Sequence, residues 1–332
     1  MDTPFGKSTS CAEKVKRLVQ AAGPEDRVAV LINADPDALA SAMALSRIFW
    51  RRTKSVRIFR INRIDRADNL AFVKLLDIGN SHIRSLKKSD FTKWALVDSQ
   101  PSHSEAFAGF DFDIIIDHHP VTPDLKADFI DIREECGANA TILTEYLKAL
   151  KIQPSPRLAT SLFYAIKADT SNFVRETVAA DMIAFRYLYD FVNLNIIKKI
   201  ESTEFSKKTL SWFKTAIEQL VFFKGIALVH MEDVDHPDTL VMVADFFLKL
   251  AEAHWTIVSG VYNNTLVVIF RNAGFRRDAG KLAKEMFADI GSAGGHKSAA
   301  RAEVPMERLR DVTRKKGCGK FVLRQAKRAF AK

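Results

Sequence analysis

Three short apolar runs in this chain each end in carboxylates. Val28-Ala29-Val30-Leu31-Ile32 leads into Asn33-Ala34-Asp35-Pro36-Asp37, Trp94-Ala95-Leu96-Val97 into Asp98-Ser99-Gln100, and Ile114-Ile115-Ile116 into Asp117-His118-His119-Pro120. Runs this short and this apolar read as strands buried on both faces, the habit of parallel sheets. Between the first of them and the next strand, Leu39, Ala42, Met43, Leu45, Ile48 and Phe49 recur at helical spacing from Ala38 to Arg52. Such strand and helix alternation predicts an α/β fold with right-handed crossovers. The acids then gather at the C-terminal edge of the sheet, where open α/β folds build their sites.

The rest of the chain extends this frame. Val56-Arg57-Ile58-Phe59 alternates like a second strand, and residues 138–150 and 157–168 read as helices separated by Gln153-Pro154-Ser155-Pro156, where proline stops the first. A long helical stretch is expected from Val178 to Phe223, broken near Asn193-Leu194-Asn195. Past it the pattern becomes strand-rich. Ile226 to Val229 is one strand, and the runs 256–262 and 265–270 flank Asn263-Asn264 as a hairpin. Ala279 to Asp289 reads as a helix, and Gly291-Ser292-Ala293-Gly294-Gly295 as a flexible loop. A length of 332 residues suits two domains. The expected division is a parallel-sheet domain over 1–190, a helical connector over 191–223, a smaller α/β domain over 224–305 and a basic tail over 306–332.

Charge and cysteine usage narrow the class. The formal net charge is +10, and residues 306–332 hold ten Lys/Arg against two Asp/Glu, so +8 sits in the last segment. A tail of that kind can contact a polyanion, or simply be a solvated terminal helix. Cys11, Cys136 and Cys318 are far apart, odd in number and without zinc spacing, so neither a disulfide framework nor a zinc site is expected. No signal-peptide pattern or long apolar run is present, so the expectation is a cytoplasmic protein with no membrane partner.

Each acidic or histidine segment has a chemical and a plain reading. Asp35 and Asp37, one residue apart, repel unless a cation joins them; alternatively Asp37 caps the helix starting at Ala38. Asp98 at the end of an apolar strand is costly unless paired, or it faces solvent in a loop. In Asp117-His118-His119 an imidazole can ligate a transition metal with the carboxylate orienting it, or the pair is structural. Asp169, ending a helix, is disfavoured by the dipole and calls for a partner. Gly294-Gly295-His296 offers backbone N–H groups for phosphate oxygens, or is an ordinary glycine turn.

Together these segments resemble the DHH–DHHA1 phosphoesterases, in the branch of oligoribonucleases and phosphoadenosine-phosphate phosphatases. The likeness runs from about Val28 to Pro305. It includes Ile166-Lys167-Ala168-Asp169-Thr170-Ser171-Asn172-Phe173 as the fourth motif, Phe270-Arg271-Asn272 as the arginine strand and Gly294-Gly295-His296-Lys297-Ser298-Ala299-Ala300 as the glycine-rich loop. The resemblance implies two Mn²⁺ ions sharing Asp98, one also on Asp35, the other on Asp37, His118 and Asp169, with Mg²⁺ as the alternative metal. It implies His119, Arg271 and His296 on the substrate phosphate, with Gly294 and Gly295 beside them, and Asp117 supporting the histidines. Its substrates are small nucleotides or short oligonucleotides, and it carries the expectation of a homodimer.

One departure bears on activity. Where the family usually has a histidine four residues before the first Asp, this chain has Leu31, which cannot bind metal. The first metal position then keeps Asp35 and Asp98, and a single ion becomes the alternative to two. Two other functions follow as alternatives: a catalytically weakened nucleotide-binding regulator, for which Leu31 argues, and a single-strand exonuclease, for which the basic tail argues.

Overall fold

The structure is a computed structural model and describes residues 9–174, 177–202, 207–274, 277–309 and 317–331. It divides into two compact units, Met1–Glu204 and Phe205–Lys332.

The first unit runs α1 (Cys11–Gln20), β1 (Arg27–Ile32), α2 (Pro36–Phe49), β2 (Ser55–Arg60), α3 (Ala67–Leu75), β3 (Ser81–His82), β4 (Lys93–Val97), β5 (Ile114–Asp117), β6 (Phe129–Ile132), α4 (Asn139–Ala149), α5 (Pro156–Asp169), α6 (Ala179–Tyr189) and α7 (Leu194–Glu201). Its six strands form one parallel sheet in the order β3-β2-β1-β4-β5-β6. The chain enters in the middle, winds outward to β3, then returns to wind the other way from β4. The switch point therefore falls between β1 and β4, and crevices for ligands open there beyond the carboxyl ends of the strands.

Burial on both faces explains the unbroken apolar runs. Val28, Val30, Ile32, Ala95, Val97, Ile114 and Ile116 face a core built with α1, α2, α4 and α5. Ala29, Leu31, Leu96 and Ile115 face a second cluster closed by Phe59, Phe91, Phe107 and Phe112. β6 escaped the sequence reading because Asp131 interrupts Phe129-Ile130-Asp131-Ile132. That buried carboxylate is neutralised by Lys14 at 2.7 Å and by Arg133, and accepts a hydrogen bond from Tyr146.

The second unit runs α8 (Lys207–Glu218), β7 (Val221–Phe223), β8 (Ile226–Asp233), α9 (Asp238–Phe247), β9 (Trp255–Tyr262), β10 (Thr265–Asn272), α10 (Ala279–Phe287), β11 (Ser292–Gly295), β12 (Ala299–Pro305) and α11 (Cys318–Ala329). Its sheet order is β11-β12-β10-β9-β8-β7, antiparallel except for the β8–β9 pair. Helices α10 and α11 cover one face and α8 and α9 the other. The hairpin forms as read: Tyr262 pairs with Thr265, and Asn263 and Asn264 take φ of 46° and 61°, the left-handed pair a two-residue turn needs.

Three expectations change. The helical stretch to Phe223 ends at Glu218, because Val221-Phe222-Phe223 pairs with β8. α7 packs into the first unit through Ile197 and Ile200, whereas α8 packs into the second through Phe213 and Ala216, so residues 191–223 divide between the units. The last segment is in part a packed helix: α11 buries Phe321, Val322 and Ala326 and leaves Lys320, Arg324, Lys327 and Arg328 exposed. Arg314-Lys315-Lys316 lies outside the described residues. The three cysteines are free. Among the described residues no helix is long and apolar enough to cross a membrane.

Candidate metal centre

The switch point holds the first acidic pair. Asp35, in extended backbone, caps α2 by accepting a 2.8 Å hydrogen bond from the Ala38 N–H. The cap is thus Asp35 rather than Asp37, and Pro36 occupies the first helical turn, where its missing N–H costs nothing. Asp37 sits in that turn, 2% exposed, and reaches to the start of α4. Its carboxylate accepts from Asn139 N–H at 2.6 Å and Ala140 N–H at 2.7 Å. Two N–H groups of a helix start thereby fix both oxygens of Asp37.

Asp98 follows β4 with φ 57°, a left-handed conformation that asparagine and aspartate tolerate best. It is 7% exposed, and its Oδ1 accepts no hydrogen bond. His118, just after β5, donates from Nδ1 to the Cys136 carbonyl, 3.1 Å away. A carbonyl can only accept, so Nδ1 carries the proton and Nε2 is turned to the acids. That Nε2 lies 3.3 Å from Asp98 Oδ1, 3.3 Å from Asp169 Oδ2 and 3.9 Å from Asp37 Oδ2. Asp169 comes from the last residue of α5. Three chain segments thus converge on an imidazole nitrogen carried by a fourth.

His119 and Asp117 form the neighbouring layer. Asp117 is fully buried; its Oδ1 accepts from His119 Nδ1 at 2.9 Å and its Oδ2 from Gln100 Nε2 at 2.7 Å. Gln100 is itself fully buried and accepts from the Thr122 N–H at 2.7 Å and its hydroxyl at 2.9 Å. His103 packs edge-on to His119 with ring centroids 5.5 Å apart, its Nδ1 accepting from the Gln100 N–H. Sequence reasoning missed Gln100, His103 and Asn139. Gln100 stood beside Asp98 in the quoted segment, but a neutral amide gives no electrostatic signal of its own. Asn139 is fully buried and both polar atoms of its side chain lack partners.

The electrostatics are those of a crowded anionic pocket. Burial, with the charge of Asp169 adding to it, pushes the Asp35 carboxyl up to about 6 and Asp37 up to about 7, despite their N–H donors. Burial followed by the charges of Asp37 and Asp35 drives Asp98 well above the usual carboxylate range. Burial acts to lower His118, but Asp37 and Asp169 more than offset it and hold the imidazole up. The hydrogen bond to Asp117 is the main reason His119 is raised. Burial alone would raise Asp117; the His119 and Gln100 donors outweigh it and keep that carboxyl low.

These residues fit a divalent cation. Asp98 Oδ1 is a buried oxygen without a donor, and Asp37, His118 and Asp169 place ligand atoms within 4.8 Å of one another, as do Asp98, His118 and His119. A cation supplies the positive charge that burial denies these acids. Leu31 is fully buried in the cluster of Phe59, Leu96 and Ile115, so the position offers no ligand.

The remaining site residues of the sequence reading belong to the second unit. Arg271, next to last in β10, donates from Nε to Asp245 at 2.7 Å and has a side chain 14% exposed. Gly294-Gly295 is strand rather than loop, paired with Arg301 and Ala300 of β12. Its glycines allow close approach. Gly295 has φ 147°, and a Cβ there would lie 2.4 Å from the Ala299 carbonyl. A Cβ on Gly280, in the first turn of α10, would lie 2.3 Å from the Gly295 carbonyl. The Ala279 and Gly280 N–H groups of α10 donate to the carbonyls of Lys297 and His296, and the His296 N–H to that of Ala299.

Residues 27–166 match the model of the DHH family, N-terminal domain. This part of the chain is a DHH-family domain. An uncharacterized protein of Methanocaldococcus jannaschii is 35% identical over 292 residues; the match covers 88% of this chain but 60% of that protein's length. An exopolyphosphatase-related protein of Bacteroides fragilis has the same fold, with a TM-score of 0.74 at 14% identity over 98% of each chain. The exonuclease RecJ, in a structure bound to manganese, aligns with a TM-score of 0.51 at 12% identity over 97% of this chain and 94% of its own.

Proposed function

We propose that this DHH-family protein is a metal-dependent phosphoesterase that hydrolyses small nucleotides or short oligonucleotides. The observation that carries the reading is the convergence of Asp37, Asp98 and Asp169 on His118 Nε2, with Asp98 Oδ1 buried and without a donor. Without a cation such a cluster opposes folding, and a chain with no use for it would gain stability by losing it.

Asp37, Asp98, His118 and Asp169 would hold the metal, with Asp35 contributing the oxygen not engaged at Ala38. The mixed imidazole and carboxylate set favours Mn²⁺ over Mg²⁺. When bound, the ion supplies charge for phosphoryl oxygens and acidifies water. The protein's own part is positioning and proton placement. Asp117 holds His119 Nδ1–H, which directs Nε2 outward and favours the protonated ring. A protonated His119 donates to a phosphate oxygen or to the leaving oxygen. Gln100 keeps Asp117 ionised and oriented, and so fixes His119 at one remove. In this reading the second unit binds substrate through Arg271 and His296, and the exposed cations of α11 favour polyanionic substrates.

The test is release of mononucleotide from a 5′-phosphorylated dinucleotide in Mn²⁺, with Asp98→Ala as the blank. Hydrolysis lost in the variant is the expected result. No hydrolysis above the blank with any dinucleotide, in a folded protein that binds them, would favour the regulatory alternative for which Leu31 argues.

A further inference from the structure

A cavity of about 710 Å³ lies in the first unit, lined by Met43, Arg47 and Trp50 of α2 and the residue after it, by Arg57 of β2, by Gly79 ahead of β3, and by Arg157 of α5. Helices α2 and α5 relate it to the metal centre. Each has fourteen residues, or about 20 Å at the usual rise. Asp35 and Asp37 stand at the start of α2, and Trp50 directly after its end. Asp169 ends α5, and Arg157 lies in its first turn. The cavity therefore sits one helix length from the acids, and none of the candidate metal ligands lines it.

Its chemistry is the opposite of the metal centre's. Three arginines line it against one acid, Asp77, which is paired with Arg157 at 3.0 Å. Arg47 makes no ion pair among the described residues and lies over the Trp50 ring at 4.8 Å. Arg57 borders the cavity from the strand but turns its guanidinium to the other sheet face, over Phe59 at 5.6 Å, so the side-chain cations of the cavity are Arg47 and Arg157, the latter in an exposed pair. Trp50 is 54% exposed, a large apolar side chain left at the rim, and Arg51 lies over the same ring at 4.2 Å. Nucleobases stack on indoles and on guanidinium planes, and free guanidiniums take phosphate oxygens.

We infer that this cavity is a second ligand site, for a nucleoside phosphate, with the base on the Trp50 and arginine surface and the phosphate on Arg47 and Arg157. The ligand is a free mononucleotide or one residue of a single strand, and the chemistry of recognition is the same. The inference does not depend on the metal centre being catalytic.

The test is calorimetric titration of AMP, ribose 5-phosphate and a tetra-adenylate into the full chain carrying Asp98→Ala, in chelator, so that hydrolysis and metal play no part. AMP or the tetra-adenylate should bind about tenfold or more weakly to the Arg47→Ala/Arg157→Ala variant, and to Trp50→Ala, since a stacked base is worth roughly that factor or more. Gly79→Leu gives an independent check that removes no charge: Gly79 lines the cavity, and a Cβ there meets no atom within 4 Å, so the added bulk is placed at the cavity wall without a clash at Cβ. It should weaken binding while leaving the melting temperature unchanged. AMP binding as tightly as the tetramer identifies the free nucleotide as ligand, and binding of the tetramer alone identifies a strand. The proposal is overturned if neither binds, if all three variants bind like the parent, or if ribose 5-phosphate binds as tightly as AMP.

Discussion

Removing metal should leave the protein with a steep loss of stability as pH rises from 5 to 8. In the folded, metal-free chain Asp37 titrates at about 7, against an ordinary 3.8. The folded state therefore keeps a proton that the unfolded chain gives up, and the favourable term is complete below 3.8 and lost as pH rises through 7. At about 1.4 kcal/mol per pH unit, and with about two units between pH 5 and the Asp37 value, Asp37 alone loses roughly 3 kcal/mol between pH 5 and 8. Asp35, raised to about 6, and the raised His118 and His119 act in the same direction. A loss of that size is a large share of the ~5–15 kcal/mol that holds a domain together. For a unit of this length it corresponds to a fall of roughly 10 °C. The assay is calorimetric melting in chelator at pH 5 and 8, repeated in saturating Mn²⁺ and with Asp98→Asn. The fall should be large in chelator, abolished by Mn²⁺ and reduced in the variant, which removes a second buried carboxyl that the folded chain keeps protonated and the unfolded chain does not. A metal-free melting temperature that is flat or rises over this range, or a fall that Mn²⁺ leaves untouched, would refute the reasoning.

Other perturbations give separate checks. Gln100→Ala takes a 2.7 Å donor from Asp117 and should lower turnover about 10- to 100-fold, as loss of outer-shell partners commonly does; equilibrium Mn²⁺ binding measured beside kcat should be nearly unchanged. Leu31→His places an imidazole in an apolar cluster where the leucine is fully buried, and should destabilise by about 3 kcal/mol in denaturant titration. Gly295→Ala should unfold the second unit at lower denaturant by several kcal/mol (on the order of the larger core effects), because φ 147° and the Ala299 carbonyl leave no room for a Cβ; a shift under about 0.5 kcal/mol would be the surface-substitution result and would contradict it.

Much of the first unit was legible because its signals are short and strong. The runs ending at Ile32, Val97 and Ile116 needed burial on both faces, and the sheet supplies it. The acids after them were read to one sheet edge, and Asp37, Asp98, Asp169 and His118 do meet there. What was lost depended on partners distant in the chain. β6 hid behind Asp131, whose charge is answered by Lys14, 117 residues away. β11 has the composition of a loop, Ser-Ala-Gly-Gly, and becomes a strand only because β12 pairs with it. Helix α9, with Leu240, Val243, Ala244 and Phe247 buried, was passed over between two strands. The cap on α2 went to Asp35 because proline at the next position favours a helix start there, two residues earlier than the apolar pattern indicated.

The most direct measurement is equilibrium Mn²⁺ binding, followed through the spin-resonance signal of the free ion, in wild type and in Asp98→Asn at pH 7. The account predicts that wild type removes Mn²⁺ from solution with release of protons, since Asp37 is near half-protonated at that pH, and that Asp98→Asn loses most of this binding. A wild-type protein that leaves the free-ion signal unchanged, or a variant that binds as the wild type does, would contradict it.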